Sequence, residues 1–144
     1  MQWKIPKNTE KYYWTKHVGM KMRYYGLSEQ RVRRVIRRPL RTEVGIATET
    51  VAVMQPQSLR RGEDGEKTWT AEIWVMYQLK NKKSKNADQI IMADGQKTEE
   101  ALLAEILGSG KQIRIISAWR YPGKTKEGES LPDEIMDEIN EALY

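Results

Sequence analysis

The chain holds a single histidine, His17, and four positions later Lys21. That spacing puts an imidazole and an ammonium on one face of a helix. An imidazole titrates near neutrality and can take or give a proton. Lysine and arginine can stabilise charge that develops on phosphorus. Further along, Glu72 stands in a strand-like stretch, and Arg114, Arg120 and Tyr121 stand in another. If the two strands are neighbours, Glu72 and either Arg114 or Arg120 could share a sheet face. Tyr121 alternates to the other face unless the strand bends near Pro122. His17, Lys21, Glu72, Arg120 and Tyr121 thus include what metal-free RNA cleavage needs: a base, an acid and a cation for the phosphorane. Each also has a structural reading: a histidine bonded to the backbone, a solvated lysine, a cross-strand Glu–Arg pair, and an arginine stacked between Trp119 and Tyr121.

Six arginines, Arg31, Arg33, Arg34, Arg37, Arg38 and Arg41, fall within eleven positions. The guanidinium fork matches phosphate oxygens two at a time. Arg31, Arg34, Arg37, Arg38 and Arg41, with Arg114, are therefore candidates for nucleic-acid contact, and a solvated helix face is the alternative. Charge is uneven along the chain. Residues 1–41 carry 12 Lys/Arg against two acidic residues, whereas 127–144 carry seven acidic residues and no basic one. The acidic tail could lie on the arginine helix and mask it.

These residues must be positioned by a chain of 144 residues with net charge +5, 39% hydrophobic and 31% charged. That length fits one domain, 1–144, with a real core. There is no Cys, which excludes disulfides, thiolate metal sites and thiol catalysis. One histidine excludes multi-histidine metal sites, and the acidic C-terminal stretch has no Asp-x-Asp loop, so neither metal nor cofactor is expected. No apolar run spans a membrane, and Met1-Gln2-Trp3-Lys4-Ile5-Pro6 has no apolar signal-peptide core. A cytoplasmic protein is the expectation.

The pattern predicts elements. Residues 1–14, with Trp3, Tyr12, Tyr13 and Trp14, read as an arm packed across the domain. Thr15 caps a helix over 16–25 that ends at Gly26. Ser28 caps a second over 29–38, stopped by Pro39. Strands are expected at 43–47, 50–54, 68–79 and 111–121. In the third, Trp69, Ala71, Ile73, Val75, Tyr77 and Leu79 share a face. In the fourth, Ile113, Ile115, Ser117, Trp119 and Tyr121 share one. Residues 80–110 read as an insertion with a short strand at 89–92 and a helix carrying Leu102, Leu103, Ile106 and Leu107. Residues 124–144 read as an acidic extension whose helix turns Ile135, Ile139 and Leu143 inward and Glu134, Asp137, Glu138 and Glu141 outward. With no Phe, the Trp residues must fill the core. Helices followed by strands, without βαβ alternation, imply α+β: an N-terminal helical hairpin packed on a twisted antiparallel sheet, with an inserted helix and a C-terminal helix.

The stretch His17-Val-Gly-Met-Lys21-Met22-Arg-Tyr-Tyr25-Gly26-Leu27-Ser28, followed by Val32, Val35, Ile36 and Pro39, resembles a small prokaryotic family of unknown function. That family's pattern runs from His, four residues to Arg, then Met, and on to Arg-Gly-Ile-Ser and a second helix. Lys21 stands where it usually has Arg, and Tyr25 where a second Arg is expected. The family is similar to the BrnT and RelE toxin ribonucleases, and residues 69–77 and 113–123 fit its core strands more loosely. The resemblance implies a helical N-terminal part on a curved antiparallel sheet that acts on RNA. The expected function is an RNA-directed, toxin-like protein, with metal-independent endoribonuclease activity as its chemistry. RNA is the expected partner, with a protein antitoxin or a second copy as further ones. A non-catalytic nucleic-acid- or protein-binding module on the same scaffold is the alternative.

Overall fold

The computed structural model of the protein describes residues 4–44, 49–80, 112–126, 128 and 130–143. Strand β1 (Tyr12–Trp14) leads into helices α1 (Lys16–Tyr25) and α2 (Glu29–Arg37). Strands β2 (Arg41–Val44) and β3 (Thr50–Pro56) follow, then two short strands, β4 (Arg60–Arg61) and β5 (Lys67–Thr68). The long strands β6 (Glu72–Lys80) and β7 (Gln112–Tyr121) and a C-terminal helix α3 (Asp133–Leu143) complete the described elements. The expected helix carrying Leu102, Leu103, Ile106 and Leu107 and the strand at 89–92 lie outside the described residues.

The architecture is α+β. Five strands form one sheet in the order β1-β7-β6-β3-β2, antiparallel except for β1, which runs parallel to β7. The helical hairpin packs on one face and α3 on the other, so the sheet is buried twice. Under the hairpin, Val18, Met22, Val32 and Val35 meet Val53, Val75, Tyr77 and Ile115. Under α3, Ile135 and Ile139 meet Met54, Trp74, Met76 and Trp119. The indoles of Trp74 and Trp119 stack at 6.2 Å and 4°. Each such indole removes about 150–250 Å² from water, the area a Phe-free core needs from it.

Local chemistry sets the hairpin. The Thr15 hydroxyl accepts from Val18 N–H, and Ser28 accepts from Arg31 N–H. Each cap contributes about 1 kcal/mol. Gly26, at φ +68°, makes the left-handed turn between the helices. Gln55 Nε2 donates to the carbonyls of Arg34 and Arg38, tying the end of α2 to the sheet. Ile5 lies so close to Gly19 of α1 that an added Cβ would meet its side chain at 2.6 Å.

The arm expected at 1–14 contributes a strand. Tyr12 and Trp14 are buried and Tyr13 is exposed, the alternation of a strand. The outer N–H groups of Tyr12 and Trp14 donate to the side chains of Thr9 and Asn8. That blunts one sheet edge.

Two face assignments change. The strand expected over 68–79 breaks at 69–71, which lets the Trp69 indole turn back to Glu72. In β7 a bulge at Ile116 leaves Met76 opposite Ser117 but Tyr77 opposite Ile115. An extra residue moves every later side chain to the other face. Ile113 and Ile115 therefore face the hairpin, whereas Trp119 and Tyr121 face α3. The carbonyl of bulged Ile116 accepts from the Thr15 hydroxyl, so the residue that caps α1 also anchors it to the sheet.

Candidate nucleic-acid interface

The bulge decides how the expected catalytic residues meet. Glu72 lies opposite Tyr121, on the α3 face. Arg120 lies opposite Ile73, on the hairpin face, where its Nη1 donates to the Tyr25 carbonyl at 2.8 Å. Glu72 and Arg120 therefore do not form the cross-strand pair that simple alternation allows. Arg114 lies opposite Gln78 at the far end of the sheet, its guanidinium 5.9 Å from the Tyr13 ring.

Glu72 is fully buried. Its oxygens accept from Trp69 Nε1 at 2.7 Å, Trp74 Nε1 at 3.1 Å, Thr125 N–H at 3.0 Å and the Thr125 hydroxyl at 2.9 Å. A carboxylate so supplied with donors is stable without a cation. It fastens residue 125, and with it the segment leading to α3, to the sheet. Its lone pairs are engaged, so it is poorly placed to shuttle protons to a substrate.

Lys21 and Tyr25 lie one helical turn apart on α1 and both meet α3. Lys21 Nζ stands 3.1 Å from Glu138 and 3.2 Å from Glu141. The Tyr25 hydroxyl donates to Glu138 Oε1 at 2.6 Å. Burial alone would lower the Lys21 pKa, but bonds to both carboxylates outweigh it and hold the ammonium above its ordinary value. Burial, then the Glu138 carboxylate, pushes the Tyr25 phenol well up. Glu138, expected to face outward, is half-buried against α1. Among the described residues, the acidic helix α3 thus pairs with Lys21 of α1 and forms no ion pair with the arginines of α2. His17 Nε2 is buried and has no hydrogen-bond partner among the described residues.

The six arginines divide. Arg31 spans to the sheet, donating to the carbonyls of Pro56 and Gln57. Arg41 is buried on the α3 face, paired with Glu43 at 2.7 Å and 5.8 Å from the Trp74 ring centre. Arg33 lies 4.9 Å from the Tyr12 ring centre. Arg34, Arg37 and Arg38 are exposed. Gln30, Arg33, Arg34, Arg37 and Arg38 line a cleft of about 440 Å³. Among the described residues, no carboxylate pairs with any of the arginines that line it.

No protein-family model, curated protein or solved structure matches this chain.

Its surface must then be read from its own chemistry. Arg34 and Arg38 also border a second groove, of about 350 Å³, with Pro39, Leu40, Pro56 and Leu59. Sequence patterning finds the arginines but not the division among them. Arg31 reaches carbonyls 25 and 26 positions away, and Arg33 and Arg41 lie against rings from other strands, so the division depends largely on partners distant in sequence. The joint role of Lys21, Tyr25 and Glu138 is missed for the same reason. Its one local signal is the spacing of Glu138 and Glu141, which puts two carboxylates on one helix face. Among the described residues no three His, Asp or Glu side chains cluster as metal ligands, and no helix is long and apolar enough to cross a membrane.

Proposed function

We propose that this protein binds RNA through the exposed arginines of α2. The observation that carries the reading is the cleft of Gln30, Arg33, Arg34, Arg37 and Arg38, whose arginines form no ion pair among the described residues; Glu29, in the first turn of α2, is the one acidic residue of that helix. Like charges three and four positions apart destabilise a helix by about 0.2–0.5 kcal/mol per pair. Arg34 and Arg37 in the last turn gain part of that back from the helix dipole. The remainder is relieved by a polyanion, and paired guanidinium forks suit phosphodiester oxygens. The resemblance of residues 17–28 to a family of unknown function that is itself similar to toxin ribonucleases favours RNA as that polyanion, and a cytoplasmic location goes with it.

Binding has more behind it than cleavage. Groups expected to move a proton or to stabilise the phosphorane are occupied or apart: Glu72 is enclosed by four donors, Lys21 is held by two carboxylates, and Arg120 is bonded to a backbone carbonyl.

The test is an anisotropy titration of labelled single-stranded RNA at several salt concentrations, with EDTA present. Wild type is expected to bind, with an affinity that falls steeply with salt. The Arg34→Ala/Arg37→Ala/Arg38→Ala variant is expected to show a salt slope smaller by about 0.7 for each phosphate it no longer neutralises. No binding at low salt overturns the reading. RNA cleavage by wild type that His17→Ala abolishes would restore the ribonuclease.

A further inference from the structure

Another cleft, of about 370 Å³, lies at the C-terminal end of β7 between α1 and α3. Trp119, 1% exposed, forms its floor, and Tyr24, Tyr25 and Tyr121 form its walls. Arg120 and Glu134 stand at its polar rim. Tyr24 is 79% exposed, more than any other large hydrophobic side chain among the described residues. It adds little to the core. Its ring is nevertheless held. Tyr25 meets it edge-on at 4.8 Å and 88°, and Tyr25 is itself fixed through Glu138.

The cleft adjoins the arginine helix. Arg31 of α2 lies near both Arg34 and Arg120: burial first, then these two neighbouring charges, lower its pKa. Positive charge therefore continues from α2 to the rim at Arg120, whose buried Nε has no partner among the described residues.

We propose that this cleft receives one unpaired nucleobase of an RNA strand whose phosphates lie along α2. The proposal rests on the RNA-binding reading and specifies its ligand as single-stranded. A base brings a flat π face for Tyr24 and Tyr121, and stacking of this kind tolerates any base. Its edge brings N–H donors for the Glu134 carboxylate and acceptors for Arg120. A paired base in an A-form duplex offers neither face, because it is already stacked. A backbone without bases would use α2 alone.

The experiment compares a short labelled single-stranded RNA with a phosphodiester strand of equal length that lacks bases, by anisotropy at one fixed low salt. Wild type should bind the RNA about tenfold more tightly. Tyr24→Ala, a change at an exposed ring, should remove most of that difference and leave the base-free strand unaffected, whereas Tyr24→Phe should keep it. Equal wild-type affinity for the two strands overturns the proposal. So does a Tyr24→Ala variant that weakens both strands alike, or neither. In those cases a wild type that still binds, and loses both ligands in Arg34→Ala/Arg37→Ala/Arg38→Ala, leaves the RNA-binding reading standing. A wild type that binds neither strand overturns both.

Discussion

The Tyr25 hydroxyl donates a 2.6 Å hydrogen bond to Glu138 Oε1 across 113 positions of sequence. It joins helices that lie on opposite faces of the sheet, and Tyr25 itself packs against both cores. The connection is possible because β1 pairs with β7 only from Ile113 to Ile115. Beyond that point the edge of β7 is open, and α1 occupies it.

Glu138→Ala should therefore loosen both helices. It strips Tyr25 of its acceptor and Lys21 of one of its two anions. The expected loss is about 1–3 kcal/mol in urea denaturation. Glu141 is 59% exposed, so Glu141→Ala should cost no more than about 0.5 kcal/mol. Equal losses would place the weight on simple charge rather than on the buried phenol–carboxylate bond.

The same pairing sets an alkaline limit. Lys21 and Tyr25 both have folded-state pKa values raised above their ordinary 10.5 and 10.0. A raised pKa means that the folded state holds its proton longer than the unfolded state does. The stabilisation is fully present below pH 10 and is lost as pH rises through the folded values. Stability followed by tryptophan fluorescence should fall from about pH 10 upward. The decline should be shallower in Tyr25→Phe, which has no phenol to ionise.

Glu72→Gln tests the buried carboxylate. The amide keeps the shape but turns two N–H donors toward Trp69, Trp74 and Thr125, which are themselves donors. The expected cost is about 2–4 kcal/mol, with red-shifted tryptophan emission as residue 125 comes away. Thr125→Val, which removes only the hydroxyl, should cost about 1–2 kcal/mol.

Gly26→Ala tests the turn between α1 and α2. No atom lies within 4 Å of an added Cβ, so the cost comes from φ +68° alone. About 1–2 kcal/mol is expected in thermal or urea melts.

Much of the fold was legible. Thr15, Gly26 and Ser28 mark the helix ends because capping is local chemistry, and the α2 helix ends at Arg37, within a residue of the reading. Alternation shows that Ile73, Val75 and Tyr77 share one face of β6, and the fold sets that face against the hairpin. Alternation could not show the bulge at Ile116, which is set by the fit of α1 to the sheet through Thr15. Tyr12–Trp14 was hidden because three residues carry too little pattern to separate a strand from an aromatic arm. Helical periodicity shows that Glu138 lies on a polar face. It does not show that this face meets Lys21 and Tyr25. The candidate arginines were plain from the sequence, but the burial of Arg41 depends on Trp74, which only the folded sheet brings to it, as well as on Glu43 two positions along the same strand.

The parallel pairing of β1 with β7 also orders events in time. Thr15 bonds to Ile116, 101 positions later. During synthesis the basic N-terminal third leaves the ribosome with the strand it needs not yet made. At about 5–20 residues per second, that interval lasts some seconds. The hairpin can form its local turns at once and can meet β3 and β6 as they are made, but α1 lacks its place against β7 until that strand appears. Closure of so long a loop makes docking of β1 a late step, and the chain should fold slowly for its size.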